Sequence, residues 1–347
     1  MSDDNNDSNE TISVDVEALT QEAETPELAI HPPPTAGIHG VLSGRVSGRV
    51  SGRVSGDHDT NDVEKIELPL RPPSTPVSNA SLGCTLHPLM SREECDAVIA
   101  WGEEVGIEEE PTKRKDVRSN TRLMFVSEQL AEDLFARVLP HLEEEVTVYA
   151  DDEKNDGSLG RGRVVGQDGV WVPIGLNPLF RLCRYVPGNH FAPHYDSQYA
   201  KSESCVSFKT CMIYLNELGG QDDAGGATQF LDDSLGLSKD PERGIFCAPP
   251  EAVYLSLPPL AGRAIVFNHR VMHEGQVLEP HARPKYILRT DVMFERVEGS
   301  QAPVSPRSAR ARDAFARAGI AEAGGDMAEA TRLYAIAFKL DPSLGTW

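Results

Sequence analysis

Two different periods of apolar residues divide the chain. Cys95, Val98, Ile99 and Val105 follow Ser91 at helical spacing, and Leu130, Leu134, Val138 and Leu142 do the same after Ser127, which predicts two amphipathic helices. Ser91-Arg92-Glu93-Glu94 opens the first with a capping box: the serine side chain bonds the third amide and Glu94 reaches back. Between them, Arg118 to Val126 reads as a strand. From Pro178 the period becomes two. Leu179, Arg181, Cys183 and Tyr185 share one strand face, and Thr210, Met212 and Tyr214 share another, opposite Lys209, Cys211, Ile213 and Leu215. Gly225 to Phe230 restarts a strand after a turn, and Gly262 to Phe267 is a short apolar strand. In Lys285 to Phe294, alternation puts Lys285, Ile287, Arg289, Asp291 and Met293 on one face and Tyr286, Leu288, Thr290, Val292 and Phe294 on the other. The apolar set should pack against the helices, so the charged set must face a polar pocket, because unpaired buried charge is costly. Many short strands between Gly/Pro turns predict an α+β, mainly β fold: a double-stranded β-helix (jelly roll) core braced by the N-terminal helices.

Composition sets the boundaries. Residues 1–79 are poor in aromatics and rich in Asp, Glu, Asn, Ser, Thr and Pro, so they are expected to form a disordered acidic tail, with order beginning near Ala80. Within that tail, residues 43 to 56 repeat Ser-Gly-Arg-Val, read as a flexible linker repeat in preference to a basic contact segment. A folded domain is expected over 80–297. Stretches 150 to 170, 197 to 207 and 232 to 252 read as loops that shape a substrate groove or, for the first, as a lid or disordered segment. Residues 308–347 predict a short C-terminal helical hairpin. In it Ala318, Gly325-Asp326, Ala330, Tyr334, Ala337, Leu340 and Pro342 resemble the signature of a single tetratricopeptide repeat. Ala314, Arg317 and Ala321 stand where that repeat carries large residues. One repeat cannot bury its own faces, so the hairpin is expected to dock internally or on a partner protein.

A net charge of -21 disfavours nucleic acid as a partner, since that binding needs clustered Lys and Arg to displace counterions. The opening Met-Ser-Asp-Asp-Asn-Asn-Asp lacks a basic-then-apolar leader, and no apolar run reaches bilayer length, so the expected address is cytoplasm or nucleus, without a membrane. The cysteines at 84, 95, 183, 205, 211 and 247 form no CxxC pair and are expected to be reduced.

The chemistry concentrates between Leu179 and Asp196. His194 and Asp196 lie two apart in extended chain, so both side chains point to one side. His273, in Phe-Asn-His-Arg-Val-Met-His-Glu-Gly, is the best third donor. Two histidines and one carboxylate on one face leave open positions opposite, the arrangement of non-haem Fe(II) oxygenases. His190 and His269, each four residues before a proposed ligand, are the rivals. His141-Leu142-Glu143 has the same spacing but falls on a predicted helix, where positions i and i+2 diverge.

Arg184-Tyr185, Pro187-Gly188, Phe191, His194-Tyr195-Asp196, Tyr214-Leu215-Asn216, Gly225-Gly226-Ala227-Thr228, His273-Glu274-Gly275 and Lys285 to Asp291 together resemble the Fe(II)/2-oxoglutarate dioxygenases, specifically the prolyl 4-hydroxylase-like branch, over roughly residues 84 to 296. The resemblance implies Fe(II), 2-oxoglutarate and O2, and leaves ascorbate open as a further requirement. It implies His194, Asp196 and His273 as metal ligands, and Tyr185 and Tyr214 as lining the 2-oxoglutarate site; on pattern alone these tyrosines read as core. It also implies Lys285 as the cation for the distal carboxylate. Lys285 lies twelve residues after His273, longer than the usual interval, which leaves Arg283 as a runner-up. Arg289 is expected to bind carboxylate as well, or to pair with Asp291 or substrate. The implied reaction converts 2-oxoglutarate to succinate and CO2 while hydroxylating a C–H bond, with a prolyl residue of a peptide or protein as target. The alternatives are an oxygenase of the same fold acting on a small molecule or another side chain, and a catalytically silent interaction protein.

Overall fold

The computed structural model describes residues 30–31, 63–69, 83–107, 114–149, 167–218, 224–301, 306–341 and 344. These fall into two compact units, one drawn from residues before 144 and from 173–294, the other from 144–149, 167–172 and the residues from 295 onward. The Ser-Gly-Arg-Val repeat and most of the loop at 150–170 lie outside the described residues.

The first unit is a jelly roll of two sheets. Its principal strands are β1 (Glu64–Glu67), β2 (Gly83–His87), β3 (Thr121–Val126), β4 (Leu179–Tyr185), β5 (Phe191–His194), β6 (Cys205–Tyr214), β7 (Thr228–Leu231), β8 (Val253–Leu257), β9 (Ala264–Asn268), β10 (His273–Gly275) and β11 (Lys285–Arg296). The larger sheet runs β3-β4-β11-β6-β9-β2-β1, with Ile30–His31 paired parallel on the outside of β3; the smaller runs β8-β7-β10-β5. Side chains from both sheets meet in one buried cluster that includes Tyr185, Met212, Phe230, Ile265, Phe267 and Ile287.

Two helices brace the larger sheet, α1 (Arg92–Val105) and α2 (Glu128–Val138). The capping box forms as expected: Ser91 N donates to Glu94 Oε2 at 2.8 Å and Glu94 N to Ser91 Oγ at 3.2 Å. Glu94 also receives both Arg137 nitrogens, at 2.7 and 2.8 Å, which joins α1 to α2 through a buried ion pair. Trp101 packs edge-on against Phe125, which stacks on Phe180. Gly102 lets α1 lie close on the sheet, because a Cβ there would meet a methyl of buried Leu182, which would have to move. The outward face of β11 is bonded to α1 as well, with Tyr286 Oη donating to Glu103 Oε1 at 2.7 Å.

Three expectations are corrected here. Residues 1–79 are not uniformly a tail, since β1 pairs antiparallel with β2 from Glu64↔His87 to Glu67↔Cys84. Its residues are exposed on both faces, so the main-chain ladder holds it and no apolar alternation announces it. Val105 is exposed and Trp101 fills the inner face of α1 instead. The second helix ends before Leu142: Pro140 lies in a single 3₁₀ turn at Leu139–His141, and Glu143 beyond it accepts from buried Lys209 at 3.1 Å.

In the second unit, Val146–Val148 pairs with the start of Gly169–Leu176, and Arg296 covers the ring of buried Trp171. Helices α3 (Pro306–Ala323) and α4 (Met327–Leu340) form the expected hairpin. Ala311, Ala314, Ala318, Ala330 and Ala337 are buried, and such small residues let two helices approach closely. Phe315, Tyr334 and Phe338 form an aromatic cluster beside them. Asp326 caps α4, accepting from Glu329 N at 3.1 Å, and Arg312 reaches Asp168 at 3.3 Å. No helix among the described residues is long and apolar enough to cross a membrane.

Candidate metal and cosubstrate site

The register of the smaller sheet assembles the site. Gly275 pairs with Phe191 and His273 with His194, so β5 carries one extra residue against β10. Such a bulge re-aims side chains. Phe191 and His194 consequently both face inward, their rings stacked at 3.6 Å. Asp196 follows His194 and is fixed by its own amide, which donates to His269 O at 3.0 Å.

His194, Asp196 and His273 converge. His194 Nε2 lies 3.7 Å from Asp196 Oδ1, His273 Nε2 lies 3.7 Å from Asp196 Oδ2, and one ligand atom from each residue falls within 4.8 Å of the other two. His194 Nδ1 is 2.7 Å from Ala192 O and His273 Nδ1 is 2.9 Å from Val271 O. A carbonyl can only accept, so each Nδ1 carries the proton and each Nε2 presents its lone pair to the centre. Burial, and then the neighbouring His194, press His273 down to about 3, which keeps it neutral. Burial alone would raise Asp196, but Arg289 and the two histidines outweigh it and hold the carboxyl well below its ordinary value.

Around Asp196 the packing is polar and closed. Arg289 Nη2 lies 2.7 Å from Oδ1, and Thr210 Oγ1 donates to Oδ2 at 2.5 Å. Thr210 has one proton and gives it to the carboxylate, so the 3.0 Å contact with His269 must be donated by His269 Nδ1. His269 Nε2 then accepts from Ser207 Oγ at 2.9 Å. Behind Arg289, Asp291 stands 3.9 Å away and receives Arg181 at 3.5 Å.

These groups open on a narrow cavity of about 40 Å³. Lys285 lies deep in its wall, donating to Gly226 O at 2.8 Å with its ammonium 4.1 Å from the centre of the Tyr185 ring. No carboxylate is bonded to Lys285 among the described residues, and burial lowers its pKa to about 7. Arg118, Arg181, Lys285 and Arg289 all line the cavity, a concentration of positive charge inside a chain of net charge -21.

Most of the predicted site residues meet here, and some do not. His194, Asp196, His273, Lys285, Tyr185 and Arg289 line one cavity. Arg283 is exposed and absent from its wall, because Lys285 is the first residue of β11 and enters the sheet opposite Tyr185. Tyr214 is buried in the core but does not line the cavity. Its hydroxyl is consumed by Thr228 Oγ1 at 2.6 Å, Leu257 O at 2.9 Å and Thr228 N at 3.1 Å. Arg289 is bonded to Asp196, closer than to Asp291, one of the partners considered for it. Neither rival histidine joins the centre: His269 supports Thr210, and His190 bonds Ser119 and the Asp116 carbonyl. Arg118 was not foreseen. Its guanidinium lies 4.6 Å from the Phe191 ring centre and donates to Asn120 Oδ1 at 2.7 Å. The signal was Arg118-x-Asn120 on one face of a strand approach, where a buried charge needs a reason.

Two imidazoles oriented by main-chain carbonyls and one carboxylate, with no thiolate among them, form a donor set that fits iron(II). The buried ammonium and the surrounding guanidiniums fit a dicarboxylate.

Residues 180–290 match the family model of the 2OG-Fe(II) oxygenase superfamily. No curated protein matches the sequence. Among solved structures, the chain is similar to the viral collagen prolyl hydroxylase of Paramecium bursaria Chlorella virus-1 in complex with 2OG, at 14% identity over 63% of this chain and 99% of that one, with a TM-score of 0.36. It is similar to a Pseudomonas putida prolyl-4-hydroxylase at 15% identity, over 62% and 93% of the two chains, TM-score 0.36. HygX from Streptomyces hygroscopicus, with nickel, 2-oxoglutarate and hygromycin B bound, matches at 11% identity over 64% and 86%, TM-score 0.35. The segment that carries His194, Asp196, His273, Lys285 and Arg289 is a domain of the 2OG-Fe(II) oxygenase superfamily, whose cofactors are iron(II) and 2-oxoglutarate.

Proposed function

We propose that this protein is a 2-oxoglutarate-dependent dioxygenase that hydroxylates a C–H bond of a prolyl residue in a peptide or protein. The convergence of His194 Nε2, Asp196 and His273 Nε2, with both imidazoles anchored through Nδ1, carries the reading. In it, those three side chains hold the metal. Iron(II) bound there supplies, with O2 and 2-oxoglutarate, oxidative decarboxylation to succinate and CO2 coupled to hydroxylation.

Each surrounding residue then has a task. Lys285 takes the distal carboxylate of the cosubstrate, and Tyr185, whose ring lies against that ammonium, adds its hydroxyl. Arg289 and Thr210 hold the Asp196 carboxylate in orientation. Phe191, stacked on His194 and covered by Arg118, keeps water from one side of the centre. The catalytic domain spans 80–297 in this reading, and no residue of the hairpin at 308–347 is assigned a part in the chemistry. The prolyl target rests on the likeness of the motifs to the prolyl 4-hydroxylase-like branch.

The test is succinate formation by the full chain with Fe(II), 2-oxoglutarate and ascorbate, alongside His194→Ala and Lys285→Ala, with a proline-rich peptide pool read by mass spectrometry. A gain of about 16 Da on proline, lost in both variants, is the expected result. Succinate without any peptide product would redirect the search to another substrate. Absence of both metal binding and succinate would leave an interaction protein.

A further inference from the structure

The hydrogen bonds behind Asp196 form one chain with one direction. Tyr199 N donates to Ser207 Oγ at 2.9 Å, and that hydroxyl, with a single proton to give, lies 2.9 Å from His269 Nε2. His269 Nδ1 in turn must donate to Thr210 Oγ1, because the threonine proton is spent on the Asp196 carboxylate. From Tyr199, in the 197–207 loop, to Asp196 Oδ2, each group accepts from the one before it and donates to the one after. Ser207, Thr210 and His269 are 0%, 1% and 3% exposed, so solvent does not cheaply replace a lost member.

His269 also holds Asp196 through the main chain, since the Asp196 amide donates to its carbonyl at 3.0 Å. It lies just past the end of β9 and four residues before His273, whose Nδ1 is oriented by Val271 O of the same turn. One residue thus ties the end of β5, which brings His194 and Asp196, to the turn that leads into β10 and His273. A side chain that only filled this space could be apolar and would not desolvate two ring nitrogens. Were the ring proton on Nε2, Nδ1 would be an acceptor, and Thr210 would divide its one proton between imidazole and carboxylate.

Resting on the metal reading above, we propose that His269 is a positioning residue of the metal centre. By donating from Nδ1 it compels the Thr210 hydroxyl to donate to Asp196 Oδ2, and so keeps that carboxylate turned toward the two Nε2 atoms. Ser207 fixes the tautomer from behind and acts on the centre at one further remove.

Mn(II) affinity of the full chain, read by electron paramagnetic resonance without turnover, tests it. His269→Leu fills the space and removes both ring bonds, and should bind Mn(II) about tenfold more weakly, the low end for an outer partner of a metal ligand. His269→Asn keeps a nitrogen donor near the Nδ1 position and should stay within about threefold of wild type. Thr210→Val cuts the route itself, so adding His269→Leu to it should cost nothing more, whereas losses arising by separate routes would add. Ser207→Ala removes only the donor to Nε2 and touches no ligand, yet should weaken binding about threefold. Should His269→Leu lack a thermal transition, Ser207→Ala decides in its place. Unchanged affinity in the deciding variant, a His269→Asn protein as weak as His269→Leu, or losses that add to that of Thr210→Val overturn this inference alone. A wild-type chain that binds no Mn(II), or binds it no more tightly than His194→Ala does, overturns the metal reading and this inference with it.

Discussion

Arg289 Nη2 sits 2.7 Å from Asp196 Oδ1, with the carboxylate buried and the guanidinium side chain 19% exposed. The pair makes the guanidinium part of the metal site's scaffold. Arg289→Met would leave Asp196 held by Thr210 alone and free to rotate. Loss of a partner of this kind costs about 10- to 100-fold in metal affinity. Arg289→Lys, which keeps charge without the planar fork, should fall between. Titration with Mn(II) followed by electron paramagnetic resonance reads this directly. Unchanged metal affinity with a raised KM for 2-oxoglutarate would move Arg289 from the metal ligand to the cosubstrate.

Lys285 makes a prediction in pH. Burial lowers its pKa to about 7 from an ordinary 10.5, so between these values the unfolded chain binds a proton that the folded chain does not. Stability without cosubstrate should rise with pH across that window, by up to roughly 1.4 kcal/mol per unit, and the penalty should be complete below pH 7. Lys285→Met should abolish that component of the slope. Cosubstrate binding runs the other way, because the distal carboxylate needs the ammonium. Its affinity should decline above pH 7, approaching tenfold per unit, when Kd is measured from pH 6 to 9. A flat profile would take Lys285 out of the cosubstrate site.

The two tyrosines should separate. Tyr185 lines the cavity, and no hydrogen bond reaches its hydroxyl among the described residues, whereas Tyr214 spends its hydroxyl on Thr228 and Leu257. Tyr185→Phe is expected to raise the KM for 2-oxoglutarate about tenfold, the value of a hydrogen bond to a charged acceptor. Tyr214→Phe should leave KM alone and cost about 1 kcal/mol of stability. Equal effects on KM would mean that both hydroxyls serve the cosubstrate.

What could be read in the sequence was what alternation determines. The facing set of β4, β6 and β11 follows from a period of two, and so does the pairing of His194 with Asp196. The contacts that escaped depend on distance between strands. Arg289 was weighed against Asp291, its neighbour on β11, but the fold brings Asp196 nearer from another part of the chain. Tyr214 points inward as expected, yet meets Thr228 of the facing sheet before it can reach the cavity. β1 was hidden for a different reason: Glu64-Lys65-Ile66-Glu67 is an exposed edge strand, and main-chain bonds leave no mark on side-chain pattern.

The brace outside the sheet offers a test of the fold itself. Glu94 serves α1 twice, as the reciprocal half of its capping box and as the bidentate acceptor of Arg137 on α2. The side chains are 5% and 17% exposed, so neither charge can be left to water if the other is removed. Breaking a buried pair from one side typically costs about 3–5 kcal/mol, more than the capping bond alone. Glu94→Ala is therefore expected to lower unfolding free energy by about that amount in urea, and Glu94→Gln by less, because the amide still accepts a hydrogen bond. Adding Arg137→Met to Glu94→Ala should recover part of the loss by removing the stranded guanidinium. A double variant no more stable than Glu94→Ala would locate the cost in the helix cap, not in the ion pair.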